Sequence, residues 1–300
     1  MVDFTDRVAI VTGAGGGLGR EHALLLASLG AAVIVNDLGG DVHGTGSGTS
    51  AAAAVVDEIR AAGGVAVADH ASVSDPQAAA SIVERALSEF GRIDVVINNA
   101  GILRDKTFAN LVWPDLDAVL DVHLKGAFYV TRPAFVQMKE QGYGRIVVTS
   151  SASGILGNFG QTNYGAAKLG LVGLMNVLKL EGERYGINVN AVAPIARTRM
   201  TMELLGTSTD LFDPAQVSPA VAYLASETCT LSGEIWSVGG GSVSRFFIGL
   251  TPGWFQPPGD GPVTVDEVAA NVAAIRDEDG YTVPHSSADE FAKLGKLLGG

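Results

Sequence analysis

Tyr164 and Lys168 stand four residues apart in the segment NFGQTNYGAAKLG (158–170), with small residues around both. A free phenol has a pKa of about 10 and is a weak acid–base catalyst near neutrality. On a helix, side chains at i and i+4 share a face, so this spacing sets an ammonium beside a phenol. The cation favours phenolate and draws the phenol pKa down, toward the range an acid–base catalyst needs. Taken alone, such a pair is far more often an ordinary feature of a surface helix. The rest of the chain decides between the two readings.

A second group lies near the N-terminus. TGAGGGLGR (12–20) follows a short apolar run and opens a helical stretch; Gly13, Gly17 and Gly19 give the spacing GxxxGxG, with Leu18 between the last two. Glycines allow a tight turn and close approach of backbone to a pyrophosphate, and the helix N-terminus offers free N–H groups and a positive dipole end. The strand–turn–helix setting is the one a dinucleotide requires; a purely structural turn is the alternative. Asp37 closes the next apolar run, AVIVND, about 20 residues beyond the glycines, where a carboxylate accepts from ribose hydroxyls. It would repel a 2′-phosphate, and no arginine stands next to it. The expectation is NAD rather than NADP, against the alternative that Asp37 is a turn residue before Gly39 and Gly40.

Holding these groups together takes a sheet. RVAIVTG (7–13), AVIVN (32–36), VAVAD (65–69), IDVVINN (93–99), RIVVTSS (145–151), INVNAVAP (187–194) and EIWSVGG (234–240) read as strands buried on both faces. Helices are expected from Gly17 to Leu29, after Thr49 and Ser50 up to Gly63, and over about 114–139 and 162–185. Another has Asp75 as N-cap, Pro76 at the first helical position and Gly91 as its stop. The alternation implies an α/β fold: a single Rossmann-type, doubly wound parallel sheet of about seven strands, helices on both faces, ligands beyond the carboxyl ends of the strands. GGDVHGTGSGTS (39–50) is a glycine-rich loop, mobile or shaped by ligand. After Gly240 the character changes, with a Pro/Gly segment (249–262), a helix at 264–276 and a polar tail. The expected organisation is a catalytic domain over residues 1–245 and a C-terminal extension over 246–300, packed on the same domain or on a neighbouring subunit. About 50 residues is marginal for an independent core.

Bulk composition excludes several classes. With 47% hydrophobic residues and 39 glycines the chain is too apolar for disorder. Twenty basic against 32 acidic residues give a net charge of −12, which argues against nucleic acid or an anionic membrane as the main partner. No apolar stretch reaches the roughly 18 residues of a membrane span. The N-terminus lacks the pattern of a signal peptide and the C-terminus is not an SKL-type address, so the expected location is cytoplasmic. Cys229 is the single cysteine, and His22, His43, His70 and His285 have no metal-ligand spacing, so no metal is expected.

GxxxGxG, NNAG (98–101) and YxxxK (164–168) on one α/β chain resemble the short-chain dehydrogenase/reductase family over about residues 5–243. The resemblance implies a seven-stranded Rossmann-type enzyme, dimeric or tetrameric through the long helices near 114–139 and 162–185. It implies Tyr164 as general acid–base, Ser151 (13 residues earlier) as donor to the substrate oxygen, and Lys168 as the group that lowers the tyrosine pKa and binds the nicotinamide ribose. Asn99, Ala100 and Gly101 are then expected along the cofactor and sheet edge, Ser72 and Val73 on the adenine side, Pro194 and Ile195 in the loop covering the nicotinamide, and Thr198 at its carboxamide. One departure is His123, in VHLKG, where the family has an asparagine that holds a relay water behind the lysine. A neutral imidazole both donates and accepts; filling space between helix and sheet is the alternative.

Within the family, NDLGGDVHGTGSG, NNAGILRDKTF, VHLKGAF and TSSASGILGNFGQTNY look like the (3R)-hydroxyacyl-CoA dehydrogenase domains of peroxisomal multifunctional beta-oxidation enzymes. That likeness implies oxidation of a 3-hydroxyacyl-CoA thioester by NAD in lipid or sterol side-chain breakdown. Arg104, Lys106, Arg197 and Arg199 are candidate contacts for CoA phosphates, or plain surface cations. Met200, Met202, Leu204 and Leu205 are a candidate apolar lid, or ordinary core. A 17β-type hydroxysteroid dehydrogenase is the alternative activity. A non-catalytic NAD sensor is disfavoured because Ser151, Tyr164 and Lys168 are all present.

Overall fold

The computed structural model describes residues 2–197 and 212–299. Thr198, Arg199, Met200, Met202, Leu204 and Leu205 lie outside the described residues. Eight strands form one sheet: β1 (Val8–Thr12), β2 (Ala32–Asn36), β3 (Val65–Asp69), β4 (Val95–Asn98), β5 (Gly144–Thr149), β6 (Ile187–Pro194), β7 (Ile235–Gly239) and β8 (Ser242–Phe246). Their order is β3-β2-β1-β4-β5-β6-β7-β8. The first seven are parallel, with Ile10 opposite Ile34 and Val96, and Val147 opposite Asn190. Chain order reverses between β1 and β4, which opens the ligand crevice at the carboxyl edge there.

The strands are continuous Val, Ile and Ala runs because both faces are covered. Every residue of β1, β4 and β5 is buried. On one side α1 (Gly17–Ser28) packs against α2 (Ser50–Ala61) and a later helix, Ser218–Ala225. On the other, α3 (Pro76–Phe90) packs against the long helix before β5, which packs in turn on the Thr162–Gly182 helix. Local chemistry sets the ends. Asp75 accepts from the N–H groups of Gln77 and Ala78 at 3.0 and 2.7 Å, Pro76 opens α3, and Gly91 closes it at φ 76°.

The helix expected over 114–139 is α4 (Trp113–Leu120) and α5 (Gly126–Gln141), joined without a break by one wide π turn, Asp121–Lys125. Such turns insert one extra residue and occur often at functional sites; this one carries His123. α6 (Ala152–Ile155) and α7 (Thr162–Gly182) follow β5, and Ser218–Ala225 is α8. β8 adds to the seven expected strands. Gly240 and Gly241, at φ 57° and 77°, turn the chain straight back into SVSRF. A two-residue connection makes this pair antiparallel, and β8 is exposed, so it lacks the apolar signature of its neighbours.

The chain divides into two compact units, Met1–Arg245 and Phe246–Gly300. In the second, Leu250 and Thr282 exchange backbone hydrogen bonds of 2.8 and 2.9 Å and Phe247 stacks on Tyr281. The helix expected at 264–276 is split into α9 (Val265–Ala270) and α10 (Val272–Arg276) at Asn271, which leaves helical geometry at φ −104° and ψ 10° and whose side-chain amide donates to Glu267 O at 2.8 Å. The polar tail contains a further helix, α11 (Ser287–Leu297), opened by a capping box between Ser286 and Asp289.

Candidate active site

The glycine turn runs from β1 into α1. Gly13 sits at φ 64°, and a Cβ there would stand 2.8 Å from the Ala100 Cα. Asn99 bolts the turn to β4: its amide donates to Thr12 O and Gly13 O at 3.0 and 3.1 Å. The Thr12 hydroxyl accepts from the N–H groups of Asn99 and Ala100, each at 3.1 Å. Thr12 opens the TGAGGGLGR segment, but nothing in the spacing assigned its hydroxyl this role.

This frame borders a cleft of about 380 Å³. Gly13, Gly17, Leu18, Asp37, Ser72, Val73, Asn99, Ala100 and Gly101 line it together. Gly19 is buried behind the turn, tight against Gly13 O. Pro194 ends β6, and Ile195 donates to Val238 O at 2.8 Å beside the sheet edge. Asp37 is fixed by two backbone donors, Gly15 N–H on Oδ2 and Gly39 N–H on Oδ1, both at 2.7 Å. The turn, the unblocked start of α1 and the carboxylate fit the pyrophosphate and ribose of a dinucleotide.

Ser151 follows β5 as the N-cap of α6, with its Oγ 3.1 Å from Ser153 N. Tyr164 and Lys168 lie on α7, the Lys168 Nζ 5.5 Å from the centre of the Tyr164 ring. Ser151 stands close enough to the Tyr164 side chain to favour its phenolate. Lys168 is only 3% exposed and donates to Thr149 O at 2.5 Å. Burial drives its pKa down to about 7. Burial also raises the Tyr164 pKa, Ser151 nearby pulling the other way and Asp105 adding to the rise. This corrects the expectation that Lys168 lowers the phenol pKa. In the protein alone the dry surroundings dominate both groups, and the lysine points at a carbonyl.

His123 stands beside the phenol. Its ring lies edge-on to Tyr164, centroids 5.2 Å apart at 88°. Nε2 is 2.9 Å from Ile102 N and 2.7 Å from Ile102 O, and Nδ1 has no partner among the described residues. One nitrogen accepts from the N–H or donates to the carbonyl, according to tautomer. Burial, with Lys168 nearby, lowers the His123 pKa to about 3, so the ring is neutral. Gly101 makes room for it, since a Cβ there would collide with the imidazole.

The candidate CoA contacts separate. Arg104 lines the cleft but is engaged internally, donating to His43 O at 2.9 Å and facing Asp115 at 3.4 Å. Lys106 is exposed beside Gln161, and Arg197 is half-buried. Among the described residues no helix is long and apolar enough to cross a membrane, and no group of three or more His, Cys, Asp or Glu is placed to hold a metal.

The sequence profile described as short chain dehydrogenase matches residues 7–209. The chain belongs to the short-chain dehydrogenase family. As a short-chain dehydrogenase it is an oxidoreductase that works with a nicotinamide cofactor. It is 52% identical to a short-chain type dehydrogenase/reductase of Mycobacterium tuberculosis, over 94% of this chain and 98% of that one. A hydroxyacyl-CoA dehydrogenase of the same organism is 37% identical over 81% of this chain and 80% of its own. The structure of full-length peroxisomal multifunctional enzyme type 2 from Drosophila melanogaster superposes with a TM-score of 0.83 at 39% identity. That match covers 99% of this short-chain dehydrogenase but only 50% of the fly enzyme. A 7α-hydroxysteroid dehydrogenase complexed with NADH and 7-oxo glycochenodeoxycholic acid matches 80% of this chain and 95% of its own, with a TM-score of 0.70 and 27% identity.

Proposed function

We propose that this short-chain dehydrogenase oxidises a 3-hydroxyacyl-CoA to the 3-ketoacyl-CoA with NAD, in lipid or sterol side-chain degradation. One observation carries the reading: Tyr164 and the buried Lys168 lie one turn apart on α7, the Lys168 Nζ 5.5 Å from the centre of the Tyr164 ring, with Ser151 at the end of β5 close to the phenol. When bound, the nicotinamide supplies the hydride acceptor. Tyr164 takes the proton from the substrate hydroxyl, and Ser151 donates to the same oxygen and steadies its developing charge. Lys168 has N–H groups beyond its bond to Thr149, suited to the nicotinamide ribose and to holding charge near the phenol. The hydroxyacyl-CoA dehydrogenase and the multifunctional enzyme among the relatives support the thioester as substrate. The hydroxysteroid dehydrogenase neighbour keeps a steroid alcohol as the second reading.

Asp37 supports NAD over NADP: two backbone N–H groups aim its carboxylate at the cleft, where a ribose hydroxyl is welcome and a 2′-phosphate is repelled. Exposed Phe128, Val136, Leu169, Val177 and Leu180 on α5 and α7 support a homodimer or homotetramer built on these helices. Residues 246–300 hold no fully buried side chain among those described, which suits an extension rather than a self-sufficient domain. The acidic composition with one buried cysteine suits a cytoplasmic location.

The test is NADH formation by the purified protein with (3R)- and (3S)-hydroxyacyl-CoAs of several chain lengths, a 17β-hydroxysteroid, and NADP in place of NAD. Turnover of one acyl-CoA stereoisomer with NAD is the expected result. Turnover of the steroid alone replaces the substrate and keeps the mechanism.

A further inference from the structure

Arg104 stands where the cleft meets the catalytic helix. Its Nε donates to His43 O, and its outer nitrogen faces Asp115. His43 belongs to the glycine-rich stretch between β2 and α2, which is folded into a strap. Leu38, Asp41, Val42 and Gly44 of the strap line the cleft together with Ser72 and Val73. The Gly48 N–H closes the neck on Leu38 O at 2.9 Å, and the Asp41 carboxylate holds the tip by accepting from His43 N and Thr45 N at 2.9 and 2.8 Å. Two further bonds dock the strap on the segment after β4: Leu103 N–H to Val42 O and His43 Nδ1–H to Leu103 O, both 2.9 Å.

The other side of Arg104 reaches the catalytic tyrosine. Its carbonyl accepts from the Asn163 amide at 3.0 Å, and that amide also lies 3.4 Å from Asp115 O. Asn163 is fully buried, and its Oδ1 accepts from Tyr164 N at 2.8 Å. One residue therefore touches the wall of the cleft through its side chain and the support of Tyr164 through its backbone. Asp115 meets both ends.

We propose that Arg104 is a positioning residue that clasps the 38–48 strap over the adenosine end of the dinucleotide and couples that grip to the alignment of Tyr164. The proposal rests on the cleft being the dinucleotide site. Without the clasp, the strap keeps its neck but loses an anchor on the 102–104 segment. The cofactor is then held less firmly, and the Asn163–Tyr164 turn loses a fixed neighbour.

The experiment is a double-mutant cycle between Arg104→Ala and a variant with residues 40–47 replaced by two glycines. The crowding of Gly39 against Gly48 shows that the neck tolerates so short a link. NAD affinity is titrated without substrate. Each change should weaken NAD about tenfold, the scale of one charge-assisted hydrogen bond lost, and together they should do no more than either alone. At saturating NAD, Arg104→Ala should also lower kcat by about threefold. The ultraviolet titration of Tyr164, read against Tyr164→Phe, should shift with it. Arg104→Lys, which keeps the charge, should fall between, and it carries the test if the alanine variant does not fold. Unchanged NAD affinity with a raised KM for acyl-CoA alone would make Arg104 a phosphate contact and overturn the proposal, as would strictly additive effects. Failure of the unaltered protein to bind NAD would instead refute the cofactor site itself, whereas a different alcohol substrate would leave the NAD cycle intact.

Discussion

Replacing Lys168 by Met should make the free protein more stable and abolish its activity. The ammonium is 3% exposed, its one recorded hydrogen bond goes to Thr149 O, and none of the ion pairs among described residues includes it. Its folded pKa of about 7 lies below the 10.5 of a free lysine. Between those values the unfolded chain binds more protons than the native one, so stability rises with pH across that window. The gap of 3.5 units is worth up to ~5 kcal/mol at 1.36 kcal/mol per unit. Methionine has a similar length and no charge, so Lys168→Met should gain several kcal/mol at pH 7 and lack the rise of stability with pH that Lys168 imposes above 7. Urea melts of both proteins without cofactor, from pH 6 to 10, measure the difference. A wild-type curve as flat as the variant's, or a variant less stable at pH 7, would show that Lys168 is not a desolvated cation.

Asp37→Ala should weaken NAD by about tenfold and narrow its lead over NADP, since it removes the carboxylate and leaves the Gly15 and Gly39 donors unpaired; an unaltered NAD/NADP ratio of kcat/KM would sink the assignment. Gly101→Ala drives a methyl into the His123 ring and should cost ~1–3 kcal/mol with a fall in kcat, relieved in part by adding His123→Ala; urea melts and turnover of the pair decide it. Acid should unfold the protein from about pH 6.5 downward, because His22 and His123 are buried neutral with pKa values lowered by burial to about 3. Between 6.5 and 3 the unfolded state takes up the extra protons, so stability is lost as pH falls. His22→Gln should remove one share of that slope, and an identical acid profile would contradict it.

The sheet, the glycine turn and the Tyr164–Lys168 pair were legible because each rests on local rules, whereas Ser151 came only from the family resemblance. Asp75, Pro76 and Gly91 mark α3 through capping chemistry, and buried parallel strands must be apolar on both faces. The rest depends on contacts distant in sequence. β8 is an exposed edge strand whose only local signal is two glycines. The strap reads as a featureless run of glycines until Val42 meets Leu103 and His43 meets Arg104. Asn163 gave no motif, yet it joins that segment to Tyr164. The protonation behaviour was the least legible. Helical spacing predicts that Lys168 lies near Tyr164, but only the packing around them shows that burial outweighs their mutual attraction.

The most direct measurement compares NADH formation and NAD affinity in the protein and in Tyr164→Phe, with a 3-hydroxyacyl-CoA as substrate. Phenylalanine keeps the ring against His123 and removes the phenol oxygen beside Ser151. The account predicts a fall in kcat of at least about a hundredfold, the lower end of general acid–base effects, with the NAD dissociation constant changed by less than about twofold. A variant that keeps near-normal turnover would show that the proton leaves by another route and that Tyr164 is not the catalytic group.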